Sequence, residues 1–244
     1  MFYTPNAETS PFLPEEESQH AIKSLRLQAG SRVELVDGNG GFYVAEIVSP
    51  HPKRCEVRIL EKRLELHKRN GYIHIAIAPT KNIERLEWFV EKATEIGIDE
   101  ITPVICRFSE RKIVKRERLV KIAVSAMKQS LKAYLPKINE QCSFDELIYC
   151  SENLTQCQRF IAHCQDGYCH DKQEKKRLSS LSLSHLEALV MIGPEGDFSL
   201  DEVVQAVKAG FTPVSLGESR LRTETAGIVA CHTMNLLYPA KNGQ

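Results

Sequence analysis

No stretch of this 244-residue sequence approaches the roughly 20 apolar residues that a membrane-crossing helix needs. Its first residues, Met1 to Pro14, lack both the basic n-region and the apolar h-region of a secretory signal. These two absences lead us to expect a soluble, cytoplasmic protein. An excess of charge is missing too. Thirty-two Lys and Arg residues stand against 32 Asp and Glu, so overall charge selects no polyanionic partner and any basic surface must be local. No C-x-x-C pair occurs among the eight cysteines, although Cys142, Cys150, Cys157, Cys164 and Cys169 cluster near His163 and His170. Structural zinc normally shows tight paired spacing, so these are read as scattered reduced thiols and no metal is expected. Both G-x-G-x-x-G and the Walker A loop are absent, which removes the two commonest nucleotide fingerprints.

What is present divides the chain in two. Hydrophobic residues make up 42%, ample for one large core or two smaller ones. Up to about Lys68 the text is strand-like. Arg32 to Val36 and Phe42 to Val48 flank Asp37-Gly38-Asn39-Gly40-Gly41 as a hairpin, and Cys55 to Leu60 reads as another strand, for which a small β-barrel is the natural closure. His20 to Leu27 is compatible with a short helix carrying Lys23 and Arg26 outward. The charge-alternating stretch Glu61 to Asn70 reads as a linker, giving domains at 1–70 and 71–244. Beyond it, Tyr72 to Ala78 is a strand. Thr80 or Asn82 then caps a helix with Ile83, Leu86, Phe89, Val90, Ala93 and Ile96 on one face and Gly97 at its end. Ile101 to Cys106 is the next strand. Strands alternating with helices imply a mainly parallel sheet.

Between Arg107 and Lys137 ten Lys or Arg residues face only two acids, Glu110 and Glu117. Such a run is either a solvated helix or a nucleic-acid face, and composition alone leaves both open. Gln165 to His185 is polar and reads as a surface insertion.

The most specific stretch is Ile192 to Ala226. An apolar run, Leu189 to Ile192, is cut off by Gly193-Pro194-Glu195-Gly196, as for a buried strand ending in a sharp turn. Ser199 and Glu202 then form a capping box for a helix whose face is Val203, Val204 and Val207 and whose stop is Gly210. Pro213 to Leu216 is a second strand ending in glycine, Gly217, and its loop carries Arg220, Arg222 and Glu224. Two glycine loops at strand ends are either ordinary turns or the backbone cradle of a ligand. The final helix, Thr223 to Tyr238, shows Ala226, Ile228, Val229, Met234, Leu236 and Leu237 in helical rhythm, with unpaired backbone N–H groups in its first turn.

Ile192-Gly193-Pro194-Glu195-Gly196, Leu216-Gly217 and Leu221-Arg222-Thr223-Glu224-Thr225-Ala226 resemble the signature of the bacterial 16S ribosomal RNA uridine-N3 methyltransferases, of the SPOUT class. His20 to Arg26 and Glu91-Lys92-Ala93-Thr94-Glu95-Ile96-Gly97 extend the resemblance over nearly the whole chain. The resemblance implies an α/β protein: an N-terminal PUA-like β-barrel that helps hold RNA, then a SPOUT domain with a deep trefoil knot. It implies S-adenosylmethionine held by Ile192, Gly193, Pro194, Glu195, Gly196, Leu216, Gly217, Leu221, Thr223, Thr225 and Ala226. It also implies a homodimer acting on 16S ribosomal RNA in the small subunit, with neither DNA nor membrane as partner. Lys23, Arg26, Arg111, Lys112, Lys128 and Lys132 become candidate RNA contacts. Two departures stand out: Lys128-Gln129-Ser130-Leu131-Lys132 where Glu-Gln-Ser-x-Arg is expected, and Asp197 where the loop usually has a second glycine.

Methylating uracil N3 requires an in-line attack on the methyl group and removal of the imide proton. Arg222 is the candidate cation for the charge developing on the carbonyl oxygens, and Glu224 either fixes Arg222 or accepts the proton. The alternative is that the two pair simply to hold the loop. Ribose 2′-O methylation within the same class, and a non-catalytic RNA-binding assembly factor, are the competing readings.

Overall fold

The computed structural model describes residues 1–65, 68–165 and 175–238. Leu66 and His67 of the expected linker, and Cys169 and His170 of the cysteine-rich stretch, lie outside them. The chain divides into two compact units, residues 1–68 with 123–135, and residues 69–122 with 136–244.

In the first unit, β1 (Phe2–Tyr3), β2 (Arg32–Val36), β3 (Phe42–Ser49) and β4 (Glu56–Arg63) form one sheet in that order. β2 and β3 pair antiparallel from Arg32↔Glu46 to Val36↔Phe42. The expected hairpin is therefore present, and its turn has a visible cause. Asp37 Oδ1 accepts from the Asn39 and Gly41 amides at 2.7 and 2.9 Å, while Gly38 and Gly40 take the positive φ that closes it. Alternation in β3 sends Tyr43, Ala45 and Ile47 into a core with Phe2, Leu13, Val33, Leu35 and Val57. The helix expected at His20 begins earlier, as α1 (Glu15–Gln19), and continues as one π-helical turn over His20–Ser24.

In the second unit, β5 (Tyr72–Ile77), β6 (Glu100–Ile105), β7 (Lys137–Ile138), β9 (Cys157–Ala162), β10 (Lys176–Arg177), β11 (Glu187–Ile192) and β12 (Thr212–Ser215) make a parallel sheet. Its order is β10-β12-β9-β11-β5-β6-β7, and β8 (Cys142–Ser143) pairs with β6. Helices α2 (Ile83–Ile96), α3 (Arg116–Gln129), α4 (Phe144–Glu152), α5 (Leu200–Lys208) and α6 (Thr223–Leu237) complete the chain. Asn82 is the cap of α2, its side chain accepting from the Glu84 amide at 3.1 Å, and Thr80 in turn donates to the Asn82 carbonyl at 2.6 Å. The capping box of α5 is complete, Ser199 with Glu202. One sheet face, with Ala76, Ile161, Leu189 and Met191, packs on Phe144, Leu147 and Ile148 of α4 and Val203 and Ala206 of α5. The opposite face, with Ile73, Ile75 and Ile77, is buried beneath α2 and α6. A sheet covered on both sides reads as continuous apolar strands, as β11 does.

The α6 packing face differs from the rhythm in its sequence. Gly227, Ala230, Cys231 and Met234 are buried, whereas Leu236 is 70% exposed. Small residues let α6 lie close to α2; of the larger apolar ones Met234 is buried, Ile228, Val229 and Leu237 are half-buried, and Leu236 faces away.

Across β5, β6 and β7 runs a polar network. Glu100 accepts from Tyr72, Lys137 and Asn139 at 2.7, 2.9 and 2.6 Å, and His74 lies 2.7 Å from Thr102 Oγ1. Desolvation pushes the His74 imidazole down to about 4. Burial alone would raise Glu100, but His74, once protonated, and the three donors outweigh it and pull the carboxyl down to about 2. Both shifts act in the same direction. The unfolded chain takes up protons that the folded chain refuses, at His74 from its ordinary value of 6.5 down to about 4 and at Glu100 from 4.5 down to about 2. Melting temperature should therefore fall as pH drops below 6.5. His74→Phe should flatten the upper part of that fall in calorimetric scans between pH 7 and pH 4; an unchanged slope would refute the assignment.

Candidate functional site

The adjacent strands β12, β9 and β11 end on the same side of the sheet, and the loops that follow them enclose an open cleft with about 680 Å³ of empty space. Its walls are Ala162, His163 and Cys164 after β9, Ile192 to Glu195 and Asp197 after β11, and Val214 to Gly217 with Ser219, Arg220 and Leu221 around β12. Thr223 and Ala226 of α6 close it. Ligands in parallel α/β sheets bind at this end of the strands.

Each loop has a local reason for its path. A Cβ on Gly193 would come within 3.0 Å of the Phe198 ring and 3.2 Å of its amide nitrogen, so this glycine serves close approach. Gly217, in contrast, has open space around it and φ of 136°, so it serves conformation. The Gly217 amide donates to Ser215 Oγ at 3.2 Å, which donates back to the Gly217 carbonyl at 2.9 Å. Thr223 Oγ1, buried, donates to the Gly193 carbonyl at 3.0 Å and so ties the first turn of α6 to the β11 loop. Glu195 is turned toward the loop after β5, where it accepts from the Lys81 amide at 2.9 Å.

Asp197 has φ of 65°, the left-handed conformation that a glycine would take without strain. Its side chain offsets that strain. Oδ1 accepts from the Phe198 amide and Oδ2 from the Cys164 amide, both at 2.8 Å, joining the β9 loop to the β11 loop. Asp197→Ala keeps the strain and loses both bonds, Asp197→Gly loses the bonds alone, and Asp197→Asn keeps an acceptor and tolerates the angle. Unfolding free energies should fall in the order wild type, Asn, Gly, Ala, with a span of about 1–3 kcal/mol, read from thermal midpoints; Ala at or above Gly would show that the strain is not real.

Of the other residues singled out in the sequence, Gly196 and Thr225 do not line this cleft. Arg222 is the N-cap of α6 and exposed, between the lining residues Leu221 and Thr223. Glu224 is buried, with Oε1 3.9 Å from Arg85 Nε and with Oε2 lacking a hydrogen-bond partner among the described residues. The basic run is largely spoken for. Arg111 donates to the Thr80 and Lys81 carbonyls at 3.2 and 2.9 Å, and Lys112 to the Cys106 carbonyl at 3.4 Å. Lys128 binds Glu17 at 2.6 and 2.9 Å. Lys23 and Arg26 are exposed, Arg26 with φ of 54°; Lys132 follows Leu131, which has φ of 55°.

Sequence reasoning passed over His163, Cys164, Ser215, Ser219 and Arg220 as parts of the cleft. The signal available for the first two was the apolar run of β9, since its end falls beside the ends of β11 and β12 once the three are neighbours. Among the described residues no His, Cys, Asp and Glu cluster is placed to hold a metal ion, and no helix is long and apolar enough to cross a membrane.

The lining mixes aliphatic and small residues, such as Ala162, Ile192, Val214, Leu216 and Leu221, with polar ones, such as His163, Glu195, Asp197, Ser215, Arg220 and Thr223. That set suits a flat heteroaromatic ring attached to a polar tail. A parallel sheet with such a cleft at its strand ends, in a chain that also carries a separate small β-rich unit, defines a two-domain α/β protein with a ligand site at the strand ends. In agreement, a family model described as an RNA methyltransferase domain matches residues 67–235, and one described as an RNA methyltransferase PUA domain matches residues 13–60. The chain is 30% identical to the ribosomal RNA small subunit methyltransferase E of Rickettsia conorii, covering 92% of this chain and 89% of that one. A crystal structure of a probable rRNA-methyltransferase from Porphyromonas gingivalis is 43% identical, with TM-score 0.87 over 97% of each chain. The ribosomal RNA small subunit methyltransferase E of Neisseria gonorrhoeae, solved bound to S-adenosyl methionine, is 27% identical with TM-score 0.81 over 97% of each. The chain belongs to the ribosomal RNA small subunit methyltransferase E family.

Proposed function

We propose that this protein transfers a methyl group from S-adenosylmethionine to N3 of one uridine in 16S ribosomal RNA, acting on the small ribosomal subunit. The observation that carries this reading is the cleft itself: three neighbouring parallel strands ending in glycine-containing loops that present backbone together with both aliphatic and polar side chains. On this reading residues 1–70 are a PUA-like barrel that holds RNA, and residues 71–244 a SPOUT domain whose C-terminal part is knotted. The protein works as a homodimer, for which the outward-facing Leu236 of α6 is the supporting feature.

Ile192, Gly193, Pro194, Glu195, Leu216, Gly217, Leu221, Thr223 and Ala226 line the cleft and hold the cofactor, while Gly196 and Thr225 belong to the same loop and helical turn without lining it. Bound there, it supplies an electrophilic methyl on a sulfonium. The chain's own task is to position the uracil and favour its N3 anion. Arg222, exposed between two cleft residues, is free to swing over a bound base and stabilise charge on its carbonyl oxygens. Glu224, with one oxygen unsatisfied, either orients Arg222 or takes the proton, in competition with Arg85. Lys23 and Arg26 meet phosphates directly, together with Arg111, Lys112, Lys128 and Lys132. A cation bonded to carbonyls, as Arg111 and Lys112 are, keeps its full charge, whereas that of Lys128 is offset by Glu17.

The test is to incubate the protein with small subunits lacking the modification and cofactor carrying a heavy methyl, then digest and analyse by mass spectrometry. Labelled N3-methyluridine at one position is the expected result. Label on a ribose would transfer the assignment to 2′-O methylation, and absence of both label and cofactor binding would leave a non-catalytic RNA-binding factor.

A further inference from the structure

One exposed side chain beside the cleft has no role in the reading above. Phe108 is 48% exposed, yet it sits between Cys106 and Ser109, which are 2% and 4% exposed. The turn that displays it is firmly held. The Cys106 amide donates to Ser109 Oγ at 3.0 Å and the Ser109 amide to the Cys106 carbonyl at 3.1 Å. From the other side, the Arg107 amide donates to Glu202 Oε1 at 2.8 Å, a carboxylate already fixed in the α5 capping box. The ring stands against the cofactor loop: a Cβ on Gly196 would lie 3.1 Å from Phe108 Cβ and 3.6 Å from its Cγ. Gly196 is flanked by Glu195 and Asp197, both lining the cleft. The Arg107 guanidinium lies 6.0 Å from the ring centroid and is paired with Asp201 at 3.3 Å, and Arg111 and Lys112, which donate to backbone carbonyls and so keep their charge, follow on the same segment.

A rigid, exposed aromatic face amid cations is the arrangement that binds an unstacked base above a neutralised backbone. We propose that Phe108 is the platform on which the extruded pyrimidine of the RNA substrate stacks as it approaches the cleft. This rests on the methyltransferase reading for its substrate. Because the turn is already ordered, little conformational freedom is lost when the base arrives. The target base must leave its stack to be methylated, and a replacement stacking partner offsets part of that cost.

The experiment compares wild type with Phe108→Ala and Phe108→Leu, leucine keeping the contact with Gly196 but lacking a π face. For both variants KM for unmodified small subunits should rise by about fivefold or more, while calorimetric affinity for S-adenosylmethionine stays at the wild-type value. A separate arm places the probe on the platform: Phe108→Trp in a Trp88→Phe background, whose only tryptophan then reports stacking. Its fluorescence should be quenched by a short oligouridylate and not by an abasic oligomer of equal charge. If the wild type methylates nothing while quenching persists, the reaction assignment fails and the platform stands. The platform is refuted by an unchanged KM, by full rescue with leucine, by a parallel loss of cofactor affinity, or by equal quenching with the abasic oligomer.

Discussion

Arg222→Ala is expected to lower kcat for methyl transfer by about 10²- to 10³-fold, the range lost when one preorganised donor to a developing oxyanion is removed. Cofactor affinity and melting temperature should stay at their wild-type values, because Arg222 is an exposed N-cap whose side chain makes no capping bond. That combination separates chemistry from support. Were Arg222 merely a partner of Glu224, its loss would lower stability and leave kcat nearly intact; Glu224 in fact has Arg85 within 3.9 Å. Single-turnover rates with pre-bound cofactor are the measurement, since they exclude product release. A rate within about threefold of wild type would end the catalytic assignment.

The parts of the site legible in the sequence were those whose cause is local. A capping box needs only Ser199 and Glu202, and both of its bonds are formed. Glycine where strands stop needs only backbone geometry, and Gly193 and Gly217 fall where the loops turn into the cleft. Asp197 stood out as a residue in the place of a loop glycine, and its φ of 65° is an angle such a glycine takes without strain. What sequence could not convey was adjacency. His163 and Cys164 join the cleft only because β9 lies between β12 and β11, an order that no periodicity encodes. The basic run from Arg107 to Lys137 left a solvated helix and a nucleic-acid face both open. In the fold, Arg107, Arg116, Arg118, Lys128 and Lys137 each have an acidic neighbour, from Asp201, Glu140, Glu87, Glu17 and Glu100 in turn. Those acids are distant in sequence, so counting charges in a window overstated the free positive surface. Helix α6 was legible as a helix and Met234 as part of its buried face, but Leu236 was not legible as exposed: large apolar residues mark a face only when volume rather than closeness decides the packing.

Closeness is what Gly227 provides, and Gly227→Val should be the most destabilising single change in α6. A Cβ there would lie 2.7 Å from Phe89 Cε2, 2.8 Å from its Cδ2 and 2.9 Å from Ile77 Cδ1. Phe89 and Ile77 are both fully buried, 0% exposed, so neither has room to retreat. Valine adds two further methyls to that overlap, and the helix must move off α2 and β5 at a cost of about 3 kcal/mol or more. In a domain of this size that corresponds to a melting temperature lower by roughly 6–12 °C. The displacement should also reach the site. Thr223, one turn earlier on the same helix, is bonded to the Gly193 carbonyl, so moving α6 pulls on the loop that forms one wall of the cleft. Cofactor affinity should therefore fall with stability in Gly227→Val, measured by calorimetry well below the melting transition. Phe89→Leu in the same chain should relieve part of both losses, because it removes ring atoms that the new methyls strike. Helix propensity itself favours valine over glycine and so cannot produce these losses. If the double variant were no better than Gly227→Val alone, overlap with the Phe89 ring would not be setting the effect, and the account of α6 as a closely packed helix would have to be abandoned.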